Sequence, residues 1–359
     1  MLMPNVVFSA NLNGVAISSP GTTNSDWSAV ALLVSGKDFD KDGYINGLKE
    51  YVHEKYQTDF KLSKNKSTEW HRIALAANLA GEDVTDFDGI NLINDGVFYR
   101  KNLAKQGLNA YIWALITLSS GNFEEPDGAI NTKNSIINSI LERQNEDGGF
   151  SLAGNISSCD ITSMAIYALS FYQAQENVKS AVIKALNYLL AIQNKDGSFS
   201  EDGIPNAEST AQAIIAFDSL GFDANINDFL FKAKSALEYF KTEDGFSHLW
   251  GGETDTMATY QSICAMASLN KATPLYSNFV KKANDNTLKN SKPVVINTEE
   301  PSEKQTVESE KESECDYTEP IDETNLEIGE EYKTNIHFHL IFVFTLVVFC
   351  GIIALRRKK

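Results

Sequence analysis

Apolar and polar positions along residues 25–285 follow the pattern of paired helices. A short, strongly apolar helix pattern occurs six times, and a more amphipathic one follows each copy, as in Asn177–Gln193 after Ile161–Tyr172. A helix pair cannot bury its apolar face alone, so neighbouring pairs stack, and six pairs can close into a ring. The pattern predicts an all-α fold, an α/α toroid of six helical hairpins with inner and outer helices. Each strongly apolar copy carries an alanine at the same place, 38 to 54 residues from the next: Ala31, Ala76, Ala114, Ala168, Ala216 and Ala265.

The composition changes beyond the predicted toroid. The segment 286–335 is strongly acidic, since its part from Glu299 to Lys333 holds 14 acidic and 3 basic residues. This composition predicts that residues 286–335 form a disordered acidic stalk. Residues 336–355 are almost entirely apolar and have the length of one transmembrane helix. The basic tail at 356–359 indicates a cytoplasmic C-terminus. We therefore expect a single-pass protein of the cell membrane, with an extracellular toroid.

The N-terminal segment, residues 1–24, is irregular and has neither the basic region nor the apolar run of a signal peptide. We expect a truncated start. The alternative is that the C-terminal span is itself the targeting signal, which would leave the toroid inside the cell. The formal net charge of −17 argues against a nucleic-acid partner. Contacts from lysine and arginine to phosphate supply most of that affinity, and the toroid has no basic stripe.

A short motif recurs in the loops after the amphipathic helices. Gln193-Asn-Lys-Asp-Gly-Ser-Phe199 and Gln144-Asn-Glu-Asp-Gly-Gly-Phe150 end a helix, turn at Asp-Gly and return at phenylalanine. The motif resembles the Gln-Trp repeat of squalene and terpene cyclases, with phenylalanine in place of tryptophan. The segments 206–212 and 160–165 resemble bacterial surface proteins of the prenyltransferase/squalene-oxidase repeat family. The resemblance covers about residues 25–270 and implies a terpenoid cyclase-like α/α toroid.

Related enzymes carry catalytic residues that are missing from this sequence. Cyclases of the squalene-hopene type protonate an alkene with an Asp-x-Asp-Asp cluster, and the corresponding stretch here has only Asp160. Protein prenyltransferases hold zinc with Asp, Cys and His, but Thr162 stands where the cysteine is needed. The Gly-Cys-Gly-Glu-Gln thioester motif of complement-type toroids is also absent. The sequence argues against an enzyme, and a terpenoid cyclase or prenyltransferase-like enzyme is the alternative.

The helix start at 160–165 also resembles the Asp-Thr-x-x-Met-Ala motif of cobalamin carriers such as transcobalamin and intrinsic factor. Those carriers clamp the corrinoid between a toroid and a small β-domain, whereas the stalk follows the toroid directly in this chain. We interpret the protein as a membrane-anchored extracellular binding module. Its ligand would be cobalamin, another small molecule or a surface protein. An adhesion or spacer module is a further alternative.

The inner helices should all begin at one end of the toroid, so residues near their starts should converge on one rim. Helix N-termini offer donors, carboxylates offer acceptors and aromatic residues offer apolar surface, which together suit a ligand site. Ordinary N-capping is the competing explanation for each polar residue. The candidate rim residues are Trp70, His71, Asn109, Trp113, Asp160, Thr162, Glu208, Thr210, Gln212, Trp250, Asp255, Thr259 and Gln261.

One loop resembles the start of a calcium site of the EF-hand or dockerin type. Asp38, Asp40 and Asp42 stand at positions 1, 3 and 5, a glycine at position 6 and Tyr44 at position 7. A lysine at position 12 departs from the motif, which needs a carboxylate there. The loop is therefore a candidate calcium site, and an ordinary turn between two helices is the alternative.

Overall fold

The computed structural model describes residues 17–58 and 61–277. The strands pair as two antiparallel hairpins, β1 (Phe199–Glu201) with β2 (Ile204–Asn206) and β3 (Phe246–Ser247) with β4 (Thr254–Asp255). The α-helices of the described part are α1 (Thr23–Ser35), α2 (Lys41–Tyr56), α3 (Ser67–Ala80), α4 (Leu108–Ser119), α5 (Lys133–Leu141), α6 (Cys159–Leu169), α7 (Glu176–Ile192), α8 (Ala207–Ser219), α9 (Asp228–Leu237) and α10 (Thr256–Ser268).

The predicted stalk, membrane helix and basic tail lie outside the described residues. Within residues 17–58 and 61–277, every helix is too short or too polar to cross a membrane. The predicted membrane topology therefore stays a prediction.

Six helices form a closed inner ring. Helix α1 packs against α3, and the contacts continue through α4, α6, α8 and α10 back to α1. Closely packed helices leave room only for small side chains where they meet. The predicted α/α toroid is confirmed, because all six repeat alanines lie on these helices and are fully buried: Ala31, Ala76, Ala114, Ala168, Ala216 and Ala265.

Outer helices follow four of the six inner helices, namely α2, α5, α7 and α9. The segment 81–107, between α3 and α4, instead contains a π-helical turn (Asn94–Phe98) and a short 3₁₀ helix (Leu103–Gln106). The side chains of Asp83 and Asn91 accept hydrogen bonds from backbone N–H groups two and three residues ahead, which favours turns over helix. The prediction of an outer helix was therefore wrong for the second repeat. The sixth outer position falls outside the described residues.

Two copies of the Gln-x-x-Asp-Gly motif join their loops to the next outer helix. Gln193 Nε2 donates to the carbonyl oxygens of Gly197 at 3.0 Å and of Phe229 in α9 at 2.9 Å. Gln144 makes the equivalent pair of bonds in the preceding repeat. A Cβ on Gly197, whose φ is +92°, would lie 2.5 Å from the carbonyl oxygen of Lys232. Glycine permits this close approach, and the motif thereby holds the loop that leads into the next inner helix.

Aromatic side chains meet inside the ring. The rings of Trp27 on α1 and Trp113 on α4 have centroids 4.6 Å apart, although α3 separates these two helices in the ring. The chain after α10 returns into this space. There the backbone N–H of Tyr276 donates to the Tyr167 hydroxyl at 3.0 Å, and the Tyr276 ring lies 5.9 Å from that of Trp113. The interior is therefore packed with aromatic rings where these helices face one another.

Candidate functional site

The inner helices begin at one end of the ring, which we call the rim. The backbone N–H of Cys159, at the start of α6, donates to the Glu201 carboxylate in the loop before α8. The N–H of Ala207, at the start of α8, donates to the His248 carbonyl in the loop before α10. Three loops therefore lie side by side along the rim. We call them the rim loops: residues 151–160, 199–208 and 246–257.

Several predicted rim residues have structural roles. Three of them occupy the same place on successive inner helices and are fully buried: Thr162, Thr210 and Thr259. Each hydroxyl accepts a hydrogen bond of 2.8 to 3.0 Å from the backbone N–H of the phenylalanine that ends the preceding loop, namely Phe150, Phe199 and Phe246. Asp255 caps α10 by accepting from the N–H of Ala258 at 2.9 Å. Capping and loop attachment therefore explain these four residues.

Trp70 and His71 belong to the core behind the rim. The indole Nε1 of Trp70 donates to the Ser63 carbonyl at 3.2 Å, and His71 Nε2 donates to the Gly96 carbonyl at 3.2 Å. Both side chains are buried. Burial lowers the pKa of His71 to about 3, so its imidazole is neutral at physiological pH. Neither residue is exposed for ligand contact.

Further predicted residues lie on the inner helices close to the rim. Trp113 is buried in the aromatic interior. Asn109 is half-buried, and its Oδ1 has no hydrogen-bond partner among the described residues. Gln212 on α8 donates to Gln261 on α10 at 2.8 Å, and this bond ties two neighbouring helices together.

Asp160 lies among acidic residues of the next repeat. Burial raises the pKa of Asp160 from 3.8 to about 7. The negative charges of Glu201 and Glu208 add to this rise in pKa. The side chains of Ser209 and His248 oppose it. Glu208 Oε2 lies 2.8 Å from His248 Nδ1. Burial also raises the pKa of Glu208, and the contact with His248 opposes that rise. Near pH 7, Asp160 therefore exists in both protonation states.

Sequence reasoning missed Glu201 and His248 as members of this cluster. They lie 41 and 88 positions after Asp160, and only the packing of three repeats brings them to it. The sequence did place both residues in loops that lead into inner helices, α8 and α10, and this position could have indicated that they lie at the rim.

The rim surface combines acidic and apolar side chains. Trp250 is 80% exposed, and its ring lies 6.1 Å from that of Tyr239. Five more large apolar residues of the rim loops are exposed: Leu152, Ile156, Ile204, Leu249 and Met257. The rim loops contain no lysine or arginine and six carboxylates: Asp160, Glu201, Asp202, Glu208, Glu253 and Asp255.

The predicted calcium loop folds as the start of a helix. Helix α2 begins at Lys41, and Asp40 caps it by accepting from the N–H of Gly43 at 2.9 Å. The Tyr44 hydroxyl is directed into the core, where it donates to Asp26 at 3.0 Å. Among residues 17–58 and 61–277, no three His, Cys, Asp or Glu side chains are grouped as metal ligands. This geometry matches a turn between two helices, and calcium binding at Asp38, Asp40 and Asp42 stays a prediction.

Comparisons with known proteins indicate where this chain belongs. Drimenyl diphosphate synthase from Streptomyces showdoensis is 25% identical over 137 residues, which is 37% of this chain and 25% of that enzyme. The chain thus matches a quarter of the length of that relative. The unsaturated glucuronyl hydrolase from Bacillus sp. GL1 is 10% identical, with a TM-score of 0.49 over 76% of this chain and 90% of the hydrolase. The prenyltransferase alpha-alpha toroid domain matches residues 101–292, more than half of the chain, and the protein therefore belongs to that family.

Proposed function

We propose that this toroid is a binding module, which recognises a ligand or partner at the rim formed by α6, α8 and α10. The observation that carries the proposal is the contrast between a packed ring interior and an exposed rim. Trp27, Trp113 and Tyr276 meet inside the ring, whereas Trp250 and Met257 are exposed beside it. A cluster of exposed apolar side chains rimmed by polar residues is typical of interaction surfaces.

Catalytic turnover inside the ring is the alternative function. An enclosed site for a terpenoid substrate requires an apolar pocket of about 300–1,000 Å³. The aromatic packing of the interior weighs against such a pocket. One observation favours the enzyme: Asp160 is in electrostatic contact with Glu201 and Glu208, and burial leaves its carboxyl partly protonated at pH 7. A carboxyl group whose pKa lies near the working pH is suited to general-acid catalysis.

Cobalamin is the small-molecule candidate that the sequence resemblance suggests, and a surface protein is the macromolecular one. The apolar segment at 336–355 would tether the module to a membrane, with the acidic segment 286–335 as its stalk. Protease treatment of intact cells tests this topology. Release of the toroid by cleavage within 286–335 supports an extracellular toroid, and a protected toroid contradicts it.

Site-specific photo-crosslinking tests the binding function directly. A photo-reactive amino acid replaces Trp250 at the rim or, as a matched control, Ile183 on the outer surface of α7, where 49% of the side chain is exposed. We expect a discrete crosslinked product in intact cells from position 250 and none from position 183. Crosslinking only from position 183 would contradict recognition at the rim.

Two solution measurements separate the binding module from its rivals. Calorimetry with cobalamin and with cobinamide tests the small-ligand candidate, and absence of heat at high micromolar concentration removes it. Incubation with farnesyl diphosphate tests the enzyme. Formation of a cyclised product that is lost in Asp160→Asn would replace the binding module with a cyclase.

A further inference from the structure

The charge of the rim loops is entirely one-sided. Their 32 residues contain six carboxylates and, apart from His248, no basic side chain. Glu201, Asp202 and Glu253 keep their side chains partly or fully exposed, while Asp160 and Glu208 lie deeper. Such a surface attracts cations and repels phosphate, so it disfavours nucleic acid and anionic lipid as partners.

Apolar side chains stand within the same surface. Ile204 is 54% exposed and lies in the loop before α8. Trp250, 80% exposed, lies in the loop before α10, and Met257, 44% exposed, lies in the first turn of α10. A free amine or a metal ion offers nothing to cover these groups. An occupant that satisfies all three rim loops must therefore present both positive charge and apolar surface.

The surface is held in shape before any partner arrives. The N–H of Cys159 donates to Glu201, the N–H of Ala207 donates to the His248 carbonyl at 3.1 Å, and His248 contacts Glu208 at 2.8 Å. These bonds connect all three rim loops. A preformed surface loses little conformational entropy on binding, so the ordering cost is confined to the partner.

We propose that the rim binds a basic amphipathic segment of a partner protein, with lysine or arginine side chains on the carboxylates and apolar side chains on Trp250 and Met257. This inference rests on the proposed binding function and specifies the chemistry of the partner. The partner's cations pair with Glu201, Asp202 and Glu253 at the edge. The partner's apolar residues cover the exposed indole of Trp250 and the thioether of Met257. Charge complementarity of this kind raises the association rate and selects the partner.

A titration with labelled peptides tests the charge requirement. The probe is a 14-residue peptide of lysine and leucine in a helical amphipathic pattern, and its counterparts carry glutamate for lysine or serine for leucine. Fluorescence anisotropy measures binding to the full-length protein in 0.15 M salt. We expect the lysine–leucine peptide to bind at least about tenfold more tightly than either counterpart. Equal binding of the glutamate–leucine peptide would overturn the inference.

Matched variants distinguish the rim from the general acidity of the protein. Glu201→Gln with Glu253→Gln removes two rim charges. Glu124→Gln with Glu176→Gln removes two charges from exposed side chains at the opposite end of the ring. Both proteins have the same net charge. We expect the rim pair to weaken binding of the lysine–leucine peptide about fivefold or more and the control pair to leave it within about twofold. Equal weakening by the two pairs would overturn the inference.

A second pair of variants tests the apolar contact and guards against a folding defect. Trp250→Ser with Met257→Ser should weaken binding about tenfold, because apolar anchors dominate most interfaces. Ile183→Ser with Phe231→Ser, at exposed positions on the outer helices, should leave binding unchanged. Unchanged binding by the rim pair would overturn the inference. If crosslinking from position 250 succeeds while the charge variants have no effect, the binding module stands and the proposed partner chemistry fails.

Discussion

The substitution Asp160→Asn gives a sharp test of the electrostatics at the rim. In the folded protein, burial raises the pKa of Asp160 from 3.8 to about 7. Asparagine has nearly the same shape and no charge. The variant therefore removes the penalty of ionising a buried carboxyl and leaves the packing of α6 against α8 in place.

The sign of the effect follows from proton binding. Below about pH 4 the carboxyl is protonated in both the folded and unfolded states, so it contributes no pH dependence. Between about pH 4 and pH 7 only the folded state holds the proton, and the free energy of unfolding falls as pH rises. Above about pH 7 the full penalty is present. Asp160→Asn should therefore gain stability relative to wild type as pH increases over this window.

The size of the gain follows from the shift. A rise of roughly three pKa units at about 1.4 kcal/mol per unit gives an upper bound of about 4 kcal/mol. Asp160 keeps part of its surface exposed, and solvent screening reduces the expected gain to about 2 kcal/mol. An asparagine amide at position 160 that lacks a hydrogen-bond partner lowers the free energy of unfolding of the variant by an amount that is the same at every pH.

Urea unfolding of both proteins at intervals from pH 4 to pH 9 measures the difference. We expect the stability of Asp160→Asn minus that of wild type to rise by about 2 kcal/mol between pH 4 and pH 8. The control Ile183→Ser, which changes an exposed residue without an ionisable group, should show a difference that does not depend on pH. A flat or falling curve for Asp160→Asn would refute the claim that burial raises the pKa of this carboxyl.

Further predictions concern the ring and its loops. Arg72 Nε lies 2.9 Å from the buried carboxylate of Asp26, so Arg72→Met leaves that carboxylate without its cation. The substitution should lower the free energy of unfolding in urea by about 3–5 kcal/mol. Asp26→Asn in the same chain should restore part of this loss. Gly197→Ala should lower the melting temperature more than Gly203→Ala. Both glycines have positive φ, but only the first would place its Cβ against a helix carbonyl. Burial lowers the pKa of His71 from 6.5 to about 3, so wild type should lose stability as pH falls from 6.5 towards 3. His71→Gln should show a shallower loss, and equal slopes for the two proteins would contradict the burial argument.

Local patterns in the sequence determined the ring. The six repeat alanines and the Gln-x-x-Asp-Gly loops are readable from the chain, because helix periodicity and turn chemistry depend on residues a few positions apart. Gln193 and Gly197 show this in the structure, where the motif joins a loop to α9. The same local reasoning failed between α3 and α4, where side-chain hydrogen bonds to the backbone produced turns in place of an outer helix.

Tertiary structure alone decided which rim residues are available. Thr162 lies near a helix start, where the sequence predicted a ligand contact. In the structure its hydroxyl instead accepts a hydrogen bond from the backbone N–H of Phe150. Thr210 and Thr259 accept the equivalent bonds from their own loops. Burial raises the pKa of Asp160, Glu201 and Glu208 add to that rise and His248 opposes it, and only the packing of three repeats brings these groups together. Tyr276 enters the ring interior through contacts with residues more than 100 positions away. The periodicity of apolar residues shows which face of a helix is buried. Long-range packing decides which residues each buried or rim side chain contacts. The ring could therefore be predicted from the sequence, and the site could not.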